Sequence, residues 1–267
     1  MKKFLLILLI VLVAASIFLV QQTNSLNTAR YTWESPRVPR GFDGFCVALV
    51  SDLHNKRFGK EQKRLVRAVS DLQPDLIALT GDFIDMYTKD MQAVADFLEG
   101  VKGLAPMYYA DGNHDPNSPF YEDLLDLLAQ YGVTVLKGEA VTLERGGDTM
   151  TLSGYPYWEL HYPLQGADIM RYHSPEDFYR FAALGCGLVL SGHNHGGQIA
   201  LPGGKAIFAP GGGFFPKYSG GVYTEGGATM VLSRGLGTAY VHVRAFNRPE
   251  VVGVVFSPLS LRDIPPQ

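Results

Sequence analysis

Phe45-Cys46-Val47-Ala48-Leu49-Val50-Ser51-Asp52-Leu53-His54 decides the fold: an unbroken apolar run stops at a serine and then presents Asp-x-His. A short apolar run closed by turn residues reads as a strand buried on both faces. The same grammar recurs downstream. Glu61 to Leu72 carries Leu65, Ala68, Val69 and Leu72 at helical spacing, Gln73-Pro74 ends that helix, and Asp75 to Thr80 is a second run that ends at Gly81-Asp82. Lys89 to Leu98 is helical, with Ala93, Val94 and Phe97 on its apolar face. Met107 to Ala110 is a third strand, ending at Asp111-Gly112-Asn113-His114-Asp115. Two β-α-β units in succession imply a parallel sheet covered by helices.

The second half changes character. Strand-like segments at Val133–Leu136, Ala140–Leu143 and Met150–Ser153 follow each other closely, and a further β-α-β unit runs from Asp168 to Leu190. Runs at Gln198–Leu201, Ala228–Leu232, Tyr240–Val243 and Val251–Phe256 make the C-terminal part mostly strands. The expectation is one α/β domain over 43–260, with two packed mixed sheets and helices outside, and a tail over 261–267. Glycine-rich stretches such as Gly203-Gly204 and Gly211–Gly213 read most simply as strand-connecting turns.

At the N-terminus, Met1-Lys2-Lys3 precedes an apolar run from Phe4 to Val20 that only Ser16 interrupts. That is long enough to span a hydrocarbon core as a helix. The small residues Ala14-Ala15-Ser16 lie inside the run, which suits an uncleaved anchor over 1–22 better than a removed signal peptide. Lys2 and Lys3 favour a cytoplasmic N-terminus and an extracytoplasmic domain on a single-pass chain, although Arg30, Arg37 and Arg40 pull the other way. Residues 23–42 are polar and contain proline, and read as a linker.

Composition excludes one partner class. A formal net charge of -3, with no Lys/Arg cluster interleaved with aromatics, gives nucleic acid no electrostatic purchase. Cys46 and Cys186 both sit in apolar runs and read as small buried hydrophobes, so they do not identify a redox compartment.

The polar residues gather where ligands bind in open α/β sheets, beyond the carboxyl ends of the strands. Asp52 and His54 follow the first strand, Asp82 the second, and Asn113, His114 and Asp115 the third; His173 follows Asp168–Tyr172, and His193 and His195 follow Gly187–Leu190. Five of the 7 histidines are spent on these turns. One polar residue at a strand end is ordinary capping; the whole series is not. Imidazole, carboxylate and amide oxygen together suit divalent Mn, Fe or Zn.

Ser51-Asp52-Leu53-His54, Leu79-Thr80-Gly81-Asp82, Gly112-Asn113-His114-Asp115, His173 ahead of Pro175, and Ser191-Gly192-His193-Asn194-His195-Gly196-Gly197-Gln198 together resemble the calcineurin-like metallophosphoesterase family. Ser233-Arg234-Gly235-Leu236-Gly237 and Phe246-Asn247-Arg248-Pro249-Glu250 are similar to its bacterial membrane-associated or exported phosphodiesterases, a subgroup with enzymes acting on lipid-linked or nucleotide-sugar pyrophosphates. The resemblance implies two divalent ions: Asp52, His54 and His195 on one, Asn113, His173 and His193 on the other, and Asp82 bridging both. It further implies that His114 faces substrate and serves the leaving group, and that Asp115 orients His114. His173 lies in the loosest of the matching stretches.

Hydrolysis of a phosphodiester, phosphomonoester or pyrophosphate bond by a metal-bridging hydroxide is the implied activity. The substrate is then a phosphate ester, of lipid-linked or nucleotide type. Tyr155, Tyr157, Trp158, Tyr162 and Phe178 could form an apolar lip for it, though packing between loop and sheet is the simpler account. The alternative is a non-catalytic metal-binding scaffold of the same fold, which would be expected to have lost part of the set that is complete here. A purple acid phosphatase pattern is set aside because Asp85 stands where it needs a tyrosine.

Overall fold

The structure, a computed structural model, describes residues 1–159, 166–209, 212–238 and 242–259. In chain order the elements are α1 (Lys2–Asn24), β1 (Asn27–Ser35), β2 (Cys46–Val50), α2 (Lys63–Ser70), β3 (Leu76–Leu79), α3 (Gln92–Val101), β4 (Met107–Tyr109), α4 (Tyr121–Gln130), β5 (Thr134–Val135), β6 (Ala140–Arg145) and β7 (Asp148–Gly154). Then come β8 (Ile169–Arg171), α5 (Phe178–Ala183), β9 (Leu188–Ser191), β10 (Ile199–Ala200), β11 (Ala206–Ala209), β12 (Gly213–Phe214), β13 (Gly221–Glu225), β14 (Ala228–Leu232) and β15 (Glu250–Pro258). The expected tail over 261–267, Tyr162 of the expected lip, Gly211, and Tyr240 and Val241 of the Tyr240–Val243 run lie outside the described residues.

Two six-stranded sheets pack face to face. One has the order β1-β15-β2-β3-β4-β5 and the other β13-β14-β9-β8-β7-β6. Both are mixed: β2, β3, β4 and β5 are parallel while β15 runs against β2, and β7, β8, β9 and β14 are parallel with antiparallel β6 and β13 at the edges. The reason is legible in the central strands. Every residue of β2, Cys46–Val50, is buried, because alternate side chains enter different cores. Val47 and Leu49 face the other sheet, against residues such as Leu152, Leu188 and Leu190. Ala48 and Val50 face the helical layer, where Leu65, Val69, Val94 and Leu124 close the outer core. A third cluster seats α5, through Phe178 and Phe181, on the far side of the second sheet. The layers are therefore helix, sheet, sheet, helix.

The linker expected over 23–42 is corrected. α1 continues to Asn24, and Asn27–Ser35 is a full edge strand paired in parallel with β15 from Asn27 opposite Glu250 to Ser35 opposite Pro258. Trp33, Val38 and Phe42 are buried in the inter-sheet core. An edge strand that shows most of its side chains to water carries too little apolar character to stand out from a linker.

Candidate dinuclear metal centre

The parallel central strands all end on one side of the sandwich, and the loops that leave them converge there. Backbone bonds stitch neighbouring loops together: the Asp52 amide donates to Gly81 O at 3.0 Å and the His54 amide to Asp82 O at 2.9 Å. Asp52, His54, Asp82, His193 and His195 all have positive φ, between 45° and 75°. A left-handed backbone is uncommon for residues with a Cβ and concentrates at functional sites. Here it turns side chains that would otherwise alternate along an extended chain toward one point.

Two groups of potential ligands meet at that point. Asp52, His54, Asp82 and His195 each offer an atom within 4.8 Å of the others, and so do Asp82, His173 and His193. Asp82 belongs to both. The carboxylates divide their oxygens between loop and cluster. Asp52 Oδ1 accepts the His193 amide at 2.9 Å and Asp82 Oδ1 accepts the His114 amide at 2.8 Å. Asp52 Oδ2, His54 Nε2, His195 Nδ1 and Asn113 Oδ1 are buried without a hydrogen-bond partner. Buried donor atoms without partners are costly unless something else satisfies them. Carboxylate and imidazole donors gathered at one point, with the unpartnered Asn113 amide oxygen at the adjoining mouth, fit divalent ions, and the cluster can bind two.

The imidazoles are fixed from behind. His54 Nδ1 lies 3.1 Å from Asp85 Oδ2, and since a carboxylate accepts, Nδ1 carries the proton and Nε2 turns its lone pair inward. His173 Nδ1 donates to Thr80 O at 2.6 Å, which aims Nε2 at Asp82 Oδ2, 2.9 Å away. Asp85 is the residue that sequence reasoning missed. Nothing in its spacing distinguishes it from any turn aspartate.

Asp115 is bound to the backbone of the neighbouring loops. Its Oδ2 accepts the amides of Asp82 at 2.7 Å and Gly112 at 2.9 Å, and its Oδ1 those of Phe83 at 2.8 Å and Ile84 at 3.1 Å. Asp115 thereby clamps the loop that carries Asp82. Gly112 matters for the same loop, because a Cβ there would run into the Asp82 carboxylate.

Charge is unevenly held. Burial opposes the charged form of His173, but Asp82, the hydrogen bond to it, and Asp52 outweigh that and raise its pKa to about 10. Asp82 is lowered: burial acts against its ionisation, and His173 more than reverses it. Burial, with the His173 charge added, pushes His193 down to about 3, and burial with His54 and Arg244 lowers His195 well below its usual value. His114 is also lowered, mainly by burial.

The mouth is double. A cavity of about 440 Å³ is lined by Asp85, Met86, Tyr87, Asn113, His114, Asn117 and Trp158. A second, of about 550 Å³, runs from His54 to Thr23 and Asn24 at the end of α1. The aromatic residues divide. Tyr155 and Phe178 pack in the third cluster, around α5, Tyr157 stands 5.6 Å from the His193 ring, and Trp158 is exposed at the mouth.

Comparison with known proteins agrees with this geometry. Residues 46–197 match the profile of the calcineurin-like phosphoesterases. The chain is 28% identical over 245 residues to the uncharacterized metallophosphoesterase YkuE of Bacillus subtilis, across 86% of this chain and 85% of that protein. It is 30% identical over 230 residues to the phosphodiesterase YaeI of Escherichia coli, across 78% and 80%. A transmembrane protein with metallophosphoesterase domain from Danio rerio is 28% identical over 244 residues, which are 82% of this chain and 54% of that protein.

Proposed function

The chain belongs to the calcineurin-like phosphoesterase family and is a metal-dependent phosphoric ester hydrolase, and from that premise we propose that it cleaves a phosphodiester bond at the Asp52–Asp82–His195 cluster. The observation that carries the reading is the cluster itself, in which buried donors point inward without partners. Asp52, His54 and His195 would hold one divalent ion, Asn113, His173 and His193 the other, and Asp82 would contribute to both. When bound, such ions supply Lewis-acid activation of water and neutralise charge on the phosphoryl oxygens.

The chain's own groups do the rest. Asp85 keeps His54 in the tautomer that ligates, Thr80 O does so for His173, and Asp115 holds the Asp82 loop in register. His114 stands at the mouth with Asn113. A neutral imidazole retains one N–H, and His114 donates it as a hydrogen bond that stabilises the charge developing on the leaving oxygen.

Two observations favour a diester over a monoester. The cavity beside His114 has no Lys or Arg among its described lining residues, and Lys56 and Lys89 line only the cavity on the His54 side, so on the His114 side a monoanionic diester is better suited than a dianionic phosphate. The Escherichia coli relative is named a phosphodiesterase. The apolar helix α1, a candidate membrane span, anchors the chain by a single pass, and Lys2 and Lys3 retain the N-terminus in the cytoplasm, with the domain outside. A substrate of lipid-linked type, such as a phosphodiester of a membrane lipid, accords with that tether.

The direct test compares bis-p-nitrophenyl phosphate with p-nitrophenyl phosphate on metal-loaded protein. Faster turnover of the diester is expected; faster turnover of the monoester would overturn the diester assignment and leave the family assignment standing.

A further inference from the structure

The catalytic domain carries an exposed apolar face that continues the membrane helix. In the small sheet β10-β11-β12, Ile199 pairs with Phe208 and Phe208 with Phe214. Directly opposed residues in a ladder share a face, so these three side chains form one stripe. Phe208 and Phe214 have ring centroids 5.3 Å apart, and Phe214 is 76% exposed. Leu201 and Phe215 are exposed beside them. Ile199 is bridged to Ala245, whose neighbour Phe246 is also exposed. Single exposed apolar residues are ordinary on a soluble surface; a contiguous aromatic patch marks an interaction site.

Phe246 links this patch to α1. Its ring lies 4.9 Å from that of Phe18. Three polar contacts fix the end of the helix to the domain: the Arg244 amide donates to Thr23 Oγ1 at 3.0 Å, Lys56 Nζ donates to Thr23 O, and the Arg64 guanidinium donates to Asn24 O at 3.2 Å. The buried Arg244 guanidinium in turn donates to His195 O at 3.3 Å. The helix end, the patch and the loop with His193 and His195 are thus one mechanical unit. From Phe4 to Ile17 the α1 side chains are apolar except Ser16, and all are exposed.

We propose that the face formed by Ile199, Phe208, Phe214 and Phe246 sits in the interfacial layer of the bilayer that α1 crosses, holding the metal cluster at the membrane surface. The occupant is lipid because the face is continuous with a helix that needs lipid. Aromatic rings are suited to the headgroup level, where an apolar body can enter and the backbone stays wet. The inference rests on α1 being a membrane span. It gives the tether a second function: the site opens toward phosphoesters presented at the bilayer surface.

The test uses the full chain in phosphatidylcholine vesicles, with and without acyl-chain bromination, and the variants Phe214→Trp and Phe208→Trp. Leu104→Trp is the control, exposed ahead of β4 at the opposite end of the sheet from the metal cluster. Brominated lipid is expected to quench emission from both sheet variants beyond the level set by the native Trp33 and Trp158, and to leave Leu104→Trp at that level. No added quenching in either sheet variant would overturn the proposal. Blue-shifted emission without quenching would overturn it in favour of a second copy covering the face. Failure of the chain to float with vesicles would remove the span on which it rests. None of these outcomes bears on diester hydrolysis, which the chromogenic assay reads separately.

Discussion

His173 Nε2 lies 2.9 Å from Asp82 Oδ2, so two groups assigned to the metals hold each other through a proton in the metal-free protein. Burial disfavours the His173 charge, yet Asp82 and Asp52 raise its pKa from 6.5 to about 10. Ligation needs the neutral ring, so metal uptake displaces that proton at any pH below about 10. Affinity for the ion at His173 should therefore climb with pH by roughly tenfold per unit between pH 6 and 9. Calorimetric titration in buffers of different ionisation enthalpy checks this. Uptake without proton release would show that His173 is not a ligand.

Asp85 uses Oδ2 to fix His54, while its Oδ1 accepts the Tyr87 amide at 2.8 Å within its own turn. Replacing it by Ala should weaken metal binding by about 10–100-fold, with a loss of about 1 kcal/mol of stability from the turn bond. Asp85→Asn, which can still accept from Nδ1, should recover part of that loss. Metal titration of the two variants reads the difference, and equal affinity in wild type and Asp85→Ala would remove the positioning role.

Asp115 accepts four buried amides. Asp115→Ala leaves those donors without partners and should cost about 3 kcal/mol or more of stability, measured by urea unfolding. A loss below about 1 kcal/mol would mean that the loop relaxes freely, contrary to the clamp described here.

Gly112 should tolerate no side chain. Its φ is not left-handed, so the effect of Gly112→Ala is steric: the methyl displaces the Asp82 carboxylate. Displacement on the ångström scale at a reacting centre costs on the order of 100-fold in turnover. Steady-state kinetics at saturating metal will show whether Gly112→Ala falls by that amount or keeps its rate.

The membrane orientation is open to a simple check. Protease added to intact cells should digest the catalytic domain if Lys2 and Lys3 hold the N-terminus inside. Protection until the membrane is permeabilised would reverse the orientation.

Much of the site was legible because metal chemistry restricts residue choice. Asp52, His54, Asp82 and the His193-x-His195 pair stand immediately after apolar runs, where a strand end leaves few structural reasons for them. The central strands were legible for a related reason: burial on both faces leaves unbroken runs such as Cys46–Val50. What escaped was set by tertiary contact. The edge strand Asn27–Ser35 is defined by its partner β15 and not by its own composition. The Asp115 oxygens accept amides about thirty residues away, a clamp that no local pattern encodes. Asp85 and Arg244 support the cluster across similar separations.

The central claim, hydrolysis dependent on two ions shared through Asp82, is tested most directly by stripping the full-length protein with chelator and titrating Mn back while following bis-p-nitrophenyl phosphate. The account predicts no turnover without metal, recovery as two ions bind per chain, and a folded but inactive Asp82→Asn. Undiminished turnover in the stripped protein, or wild-type rates in Asp82→Asn, would contradict it.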